Sequence, residues 1–584
     1  MKKSSQFYRA TALVVFVVCG FWRAQTGFAQ TPDPGLPGPF ATATEEYNFG
    51  DTAFNPTNFP GPVELIASVH YPTNASGPRP LIILLHGRHA TCFQGDGAQF
   101  LEWPCAMGRE SIPSYKGYDY LADVLASNGY IVVSIGANGI NARDNQVRDL
   151  GALARAELIQ KHLDIWNTFN SVGGAPFGTK FVGKVDLTKV GTMGHSRGGE
   201  GVVRHYVLNN ALGAPYGIKA VFALAPVDFN RFVVNNAALS VLLPYCDGDV
   251  SDLQGVHFYD DARYNVPGDP APKHYVLVMG ANHNFYNTIW SPSSPFPGAT
   301  DDWLAFVPGG NSDSQCGSVK GNNRLTEAQQ RGTGLAYMSA FFRAYVGGES
   351  QFLPLLTGDA PAPPSATTND LFVSYHAPDD PDLRLDVNRL LTNTNLTINT
   401  LGGTVMQLGL TPYDLCGGPA PQPAKCLPDE ANARQPHTTP SARSSMRGLS
   451  QLRTGWSDLS AFYSNDLPGG TRNVRGFQAV QFRVSVNFAD LRNIADMPQD
   501  FSVVLTDGQG VASSVRVSDY SRALFFPPGE VGPVPKVVLN TVRIPLSAFA
   551  NVNLNNIRSV QFTFDQKLAG ALLITDVAFA SAPQ

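Results

Sequence analysis

Residues 189–206 read KVGTMGHSRGGEGVVRHY. The stretch opens as a short apolar strand, breaks at Gly194-His195-Ser196-Arg197-Gly198, and continues with apolar residues at helical spacing. Glycine weakens strands and helices alike, so glycines two places before and two places after one serine need a local reason. A sharp strand-to-helix turn supplies one. Gly194 and Gly198 leave room where the turn crowds neighbouring backbone, and Gly199 lets the helix pack close.

Such a turn holds a serine hydroxyl out toward a base, which an unassisted hydroxyl needs before it becomes a nucleophile. Ser196 is therefore the candidate nucleophile of a Gly-X-Ser-X-Gly turn. The competing reading is a glycine-rich helix start that cradles phosphate. It lacks the Lys-Ser/Thr step and the longer glycine spacing of a phosphate loop.

Outward from the turn, strands and helices alternate over residues 45–350. PLIILLHG is a continuous apolar strand, as expected where both faces are buried. YDYLADVLASNGY and NQVRDLGALARAELIQKHLDIWNTF read as helices. YIVVSIG, IKAVFALAPVD, LSVLLPYCDGD and HYVLVMGANH read as strands, and TEAQQRGTGLAYMSAFFRAYVGG as a closing helix. Alternation of this kind predicts an α/β domain with a mainly parallel sheet flanked by helices. Residues 30–44 and 351–370 read as Pro-rich linkers. Residues 371–584 hold short strands broken by Gly, Pro and Asn and predict an all-β sandwich.

A serine in such a turn is followed along the chain by an acid and then a histidine. SVLLPYCDGDVSD offers Asp247, Asp249 and Asp252 at a strand's end, and a turn of two or three residues before the acid favours Asp249. Asp228, after the preceding strand, is a more distant alternative. His283 follows the last apolar strand in GANHNF and is the candidate base. His195 starts on the other side of the turn and reads as a packing residue. The main-chain N–H groups of Arg88, after LIILLHG, and Arg197, after the serine, are the candidate donors to an oxyanion. This chemistry calls for no metal and no organic cofactor.

The 584 residues exceed what one core sustains, and 43% hydrophobic with 15% charged residues is globular composition. MKK followed by ATALVVFVVCGFW and GFA reads as an export signal over residues 1–29, too short in its apolar part to span a bilayer. A retained N-terminal anchor is the alternative. Without residues 1–29 the chain keeps 38 basic and 47 acidic residues, a net charge of −9, and no basic tract, which argues against a nucleic-acid partner. No later segment is long and apolar enough to cross a membrane. The expected location is secreted or periplasmic. Six cysteines then remain, and an even number in an exported chain predicts disulfides. Proximity pairs Cys92 with Cys105 and Cys416 with Cys426, leaving Cys246 with Cys316.

LLHG (84–87), GHSRGG (194–199), CDGD (246–249) and GANH (280–283), in that order, resemble the α/β-hydrolase superfamily over about residues 60–347. Within it the chain is similar to exported serine esterases of the dienelactone hydrolase, cutinase and polyester hydrolase kind. The resemblance implies an ester substrate, polymeric in the polyester hydrolases. It also implies a bridge between a cysteine three residues before the acid, here Cys246 before Asp249, and the histidine loop. The chain departs from those enzymes in the distance of Cys316 from His283, in Arg197, and in the long insertion after LLHG. Phe93, Trp103 and Tyr115 of that insertion either line the substrate pocket or anchor a surface loop. The last 200 or so residues resemble galactose-binding-like jelly rolls, which implies a polysaccharide partner, with Trp456, Tyr463 and Tyr520 as stacking or packing residues. The expected activity is carboxylic ester hydrolysis. A glycan-binding protein with an inert hydrolase-like domain, and a serine peptidase, are the alternatives.

Overall fold

The computed structural model describes residues 31–583 except 96, 319–322, 369, 419–424, 428–434, 440, 443–447 and 526–535. The export signal and its cleavage site lie outside the described residues.

Nine strands form the first sheet: β1 (Thr42–Asn48), β2 (Ile66–Pro72), β3 (Arg79–Leu85), β4 (Ile131–Ile135), β5 (Val185–His195), β6 (Ile218–Leu224), β7 (Ala238–Pro244), β8 (Lys273–Val278) and β9 (Leu371–His376). Their spatial order is β1-β2-β4-β3-β5-β6-β7-β8-β9. Strands β4, β3, β5, β6, β7 and β8 run parallel, while β1, β2 and β9 pair antiparallel at the two margins.

Apolar runs make the middle of this sheet possible, because β3, β4, β6, β7 and β8 are buried on both faces. Leu81, Ile83 and Leu85 of β3 point into one core with Leu158, Trp166 and Val202. Ile82 and Leu84 point into the other with Leu121, Phe341 and Phe342. The first core is covered by helices α2 (Ala152–Ser171) and α3 (Arg197–Ala211). The second is covered by α1 (Asp119–Ser127) and, after the short helices α4 (Val256–Ala262) and α5 (Asp302–Phe306), by α6 (Glu327–Tyr345). The long helix begins at Ala152 rather than at Asn145, because Leu150 and Gly151 both take positive φ and turn the chain just before it.

The register decides where the site lies. Leu85 of β3 is level with Gly194 of β5, His195 with Leu224 of β6, Leu242 of β7 with that same Leu224, and Pro244 with Val278 of β8. The segments after β3, β5, β7 and β8 therefore leave the sheet along one edge, where ligands bind in open parallel sheets.

Both linker expectations need correction. β1 begins at Thr42, inside the first, and its seven residues pair along the whole of β2. In the second, Phe352, Leu355 and Leu356 are buried in the core under α6. Residues 371–376, read as the start of the β-rich unit, instead add β9 to the first sheet. Apolar contact with the sheet outweighs the local Pro-rich composition.

The C-terminal region is β-rich. Strands β10 (Arg384–Asn388), β11 (Val405–Leu408), β12 (Leu410–Cys416), β13 (Gln451–Trp456), β14 (Phe462–Asp466), β15 (Ala479–Val486), β16 (Ser502–Asp507), β17 (Ala512–Arg516), β18 (Asn540–Pro545), β19 (Ile557–Thr563) and β20 (Gly570–Ala580) build two sheets. One runs β12-β13-β20-β15-β18, with β10 also on β20. The other runs β11-β14-β19-β16-β17. Val480, Phe482 and Val484 of β15 face a core shared with Val503, Val560 and Phe562 of the second sheet.

The alternate residues of β15 face the α/β unit, and they are polar. Gln481 Nε2 donates to the carbonyl of Tyr375, and Arg483 Nη1 lies 3.0 Å from Asp260 of α4. His437 Nδ1 lies 2.6 Å from the other oxygen of Asp260, and Arg263 pairs with Asp576. All five charged or ionisable side chains of this contact are buried.

Candidate active site

Ser196 sits between the end of β5 and the first residue of α3 with φ 58° and ψ −124°. A side chain-bearing residue adopts that conformation only where its surroundings impose it, at a cost of about 1–3 kcal/mol. The surroundings are visible. A Cβ on Gly194 would lie 1.9 Å from the carbonyl oxygen of Gly198, so the turn closes only over glycine. A Cβ on Gly87, after β3, would lie 2.5 Å from Ser196 Cβ. The loop carrying Arg88 thus presses directly on the serine. Neither the Arg88 nor the Arg197 main-chain N–H donates to a protein acceptor among the described residues.

His283 follows β8 on the same edge. Its carbonyl accepts from His195 Nε2 at 3.0 Å, and the two rings are 4.9 Å apart. Tyr118 Oη lies 3.0 Å from His195 Nδ1, so a hydroxyl and a carbonyl orient that ring. Burial, reinforced by His283, holds the His195 pKa well below the usual histidine value. The neighbour of the serine is thus a neutral spacer between it and the His283 loop.

The carboxylate that meets the histidine differs from expectation. The carboxylate on His283 Nδ1 belongs to Asp247, at 2.9 Å, and not to Asp249. The reason is where β7 ends. It stops at Pro244, two residues before the apparent strand end at Cys246, so a turn of the expected length lands on Asp247. Asp247 Oδ1 then accepts the main-chain N–H of Asp249 at 2.9 Å and of Val250 at 2.6 Å, which locks the turn. Asp249 is displaced to the outer side, with Oδ2 3.6 Å from His283 Nε2 and a side chain 53% exposed. Asp252 binds Gln254, and Asp228 binds His257 and Arg231. No hydrogen bond links Ser196 Oγ to the imidazole among the described residues.

A carboxylate without a signal in the sequence completes the arrangement. Asp302, buried at the start of α5, accepts N–H groups of Gly248 at 2.7 Å, His283 at 3.0 Å and Asn284 at 3.0 Å. It joins the acid loop to the base loop. Burial, then the charge of Asp247, pushes its pKa up. Burial alone would lower the pKa of His283. Asp247, by charge and hydrogen bond, then Asp249 and Asp302, outweigh burial and raise it to about 9.

The disulfides pair as expected: Cys92 with Cys105, Cys246 with Cys316, and Cys416 with Cys426. The second ties the acid loop to the segment after α5. The first closes the insertion, where Cys92–Phe93 pairs with Gln99–Phe100 and with Glu110–Ser111. Trp103 is buried and donates to the carbonyl of Asp51, Tyr115 is buried, and Phe93 packs on Phe296. These contacts anchor the loop.

Glu200 does not pair with Arg204 along the helix. Its Oε1 accepts from the main chain and side chain of Asn230, while burial, then Asp228, pushes its pKa up to about 8. In the β-rich region Trp456 and Tyr463 are core residues, with Trp456 stacked 4.4 Å from Phe564. Tyr520 is 45% exposed.

No protein-family model matches this chain, and no curated protein matches it either. No helix among the described residues is long and apolar enough to cross a membrane, and the three disulfides fit a location outside the reducing cytoplasm.

Proposed function

We propose that the chain is an exported serine hydrolase of α/β-hydrolase type that cleaves carboxylic esters. One observation carries the reading. A serine forced to φ 58° at a strand-to-helix turn shares a sheet edge with a buried His283–Asp247 pair whose backbone touches the residue beside that serine. The central place of β5 in a mostly parallel sheet, and the pressure of the loop after β3 on the serine, support the same fold assignment.

In this reading Ser196 Oγ attacks the ester carbonyl carbon as its proton passes to His283 Nε2. Asp247 holds the Nδ1–H and stabilises the imidazolium. The N–H groups of Arg88 and Arg197 donate to the tetrahedral oxyanion, an interaction worth about 3 kcal/mol per donor. Collapse breaks the ester C–O bond, and the imidazolium protonates the leaving alcohol. Water, activated by the same imidazole, then releases the acid and restores Ser196. For the first step Nε2 turns from Asp249 toward Oγ, and substrate tightens that contact, as apo sites commonly require.

The test is labelling with a fluorophosphonate, read by mass spectrometry, together with hydrolysis of p-nitrophenyl butyrate. Wild type should be labelled on Ser196 and turn the ester over, and Ser196→Ala should do neither. Unlabelled wild type without turnover would end the proposal.

A further inference from the structure

Beside Ser196 lies a cluster of charge that ester hydrolysis as such does not use. Asp144 is fully buried and meets three guanidinium groups. Arg88 Nε lies 3.1 Å from Oδ1, while Arg155 Nη2 at 2.8 Å and Arg197 Nη1 at 2.9 Å lie on Oδ2. Arg155 is fully buried and spends its remaining contacts on the carbonyl of Leu150 and on Asn141 Oδ1. Its role is to brace the loop, because Asn141 Nδ2 in turn donates to the Gly87 carbonyl, 2.9 Å away.

Arg88 and Arg197 differ from it. Their side chains are 29% and 17% exposed. Arg88 reaches Asp144 through Nε alone, and Arg197 uses Nη1 for Asp144 and for Asn145 Oδ1 at 2.9 Å. The fork of each guanidinium keeps unused N–H donors. Among these four groups, three cations face one anion. The nearest further acid along α3, Glu200, is held up to about pKa 8 by burial and adds no negative charge at neutral pH. Within this cluster the guanidinium groups outnumber the carboxylate by two, while Asp247, Asp249 and Asp302 lie on the other side of the site, around His283.

The placement ties this excess to the reacting centre. Arg197 is bonded to Ser196, and Arg88 follows the glycine that packs on Ser196. A guanidinium with free N–H groups in a partly dry site is a carboxylate receptor, since the planar fork matches the two oxygens.

We propose that Arg88 and Arg197 bind a carboxylate carried by the ester substrate close to its scissile bond, so that the preferred substrates are anionic esters such as half-esters of dicarboxylic acids. The inference rests on the serine-hydrolase reading and narrows it. Asp144 holds the two side chains apart and oriented, and Arg155 holds Asp144. The contact of a substrate carboxylate with these two partly exposed guanidinium groups should weaken with salt.

The experiment compares matched esters on the full chain. For the acyl side, mono-p-nitrophenyl glutarate is set against p-nitrophenyl butyrate. For the alcohol side, 3-carboxyphenyl butyrate is set against phenyl butyrate. Wild type should favour the anionic member of at least one pair in kcat/KM by about tenfold or more at low salt. That ratio should collapse toward one in Arg88→Gln and Arg197→Gln, return in part with Arg88→Lys, and shrink as salt rises. Glutarate should also inhibit turnover of the neutral ester by wild type, a measurement that needs no variant to fold.

Turnover of neutral esters with Ser196 labelled, but with no anionic preference and no inhibition by glutarate, overturns this inference alone. A ratio unchanged in both glutamine variants overturns it as well. Absence of labelling and of all turnover overturns it together with the hydrolase reading.

Discussion

Asp249→Asn is the variant that most directly tests the electrostatics around His283. The imidazole faces Asp247 on Nδ1, Asp249 near Nε2, Asp302 behind its backbone, and the neutral ring of His195. Two unit charges 3.6 Å apart interact by about 1.2 kcal/mol in water and about 4.6 kcal/mol at an effective dielectric constant of 20. With the Asp249 side chain 53% exposed, solvent screens most of this and the lower figure applies. That corresponds to a little under one pH unit, about 0.8. The sign follows from which form the carboxylate favours. Asp249 stabilises the imidazolium, and general-base catalysis needs the neutral ring. Its removal should therefore lower the His283 pKa from about 9 and move the acid limb of the kcat/KM profile to lower pH. At pH 7, where most of the ring is protonated, ester turnover should rise several-fold, about sixfold for 0.8 unit. The assay is p-nitrophenyl butyrate hydrolysis from pH 5.5 to 10 in constant ionic strength. An acid limb that stays in place, or moves to higher pH, would refute this account of the base.

Asp247→Asn should leave the fold intact but remove the group that orients and charges His283, cutting kcat by about 10⁴-fold with KM little changed. A variant retaining a tenth of wild-type kcat would transfer the acid's role elsewhere. Asp260→Ala should remove the nearest carboxylate of Arg483 and of His437 and leave Asp576 alone to face two guanidinium groups in the buried contact between the α/β and β-rich units, at a cost of about 3–5 kcal/mol in denaturant unfolding. Burial alone would raise the Asp260 pKa, but His437 and Arg483 outweigh it and hold it far below the carboxylate range. The stabilisation is therefore present above about pH 4, the unfolded pKa, and is lost as pH falls toward the folded one, a dependence the variant should lack. Loss of under 1 kcal/mol, or an unchanged acid dependence, would count against the contact.

Much of this was readable in the order of residues because the relevant signals are local. Apolar runs of five to eight residues name the strands of a sheet buried on both faces, and the glycine spacing around Ser196 names a turn that only close backbone approach explains. Candidate donors and base follow because parallel strands deliver their ends to one edge. Cys92–Cys105 and Cys416–Cys426, 13 and 10 residues apart, pair by proximity, which leaves Cys246 for Cys316. Where local composition misled, long-range packing had the larger effect. The Pro-rich stretch before β9 looks like a linker, yet Leu355 and Leu356 bury against α6 and residues 371–376 gain a full ladder with β8.

The choice between Asp247 and Asp249 lay beyond local signals. It depends on β7 ending at Pro244, and that depends on which backbone groups find partners on β8. Asp302 and Asp144 are likewise silent in the sequence. Neither has characteristic spacing, and each acquires meaning only when distant segments bring three donors to it. The amino-acid order by itself determined the layered α/β unit, the turn at Ser196 and a β-rich continuation, since hydrophobic period and glycine placement act over a few residues. The tertiary structure alone decided which carboxylate holds the imidazole and which arginines gather on Asp144 beside the serine. Those are matters of a few tenths of an ångström between groups far apart in the chain, and hydrogen bonding and charge, unlike burial, change steeply over that distance.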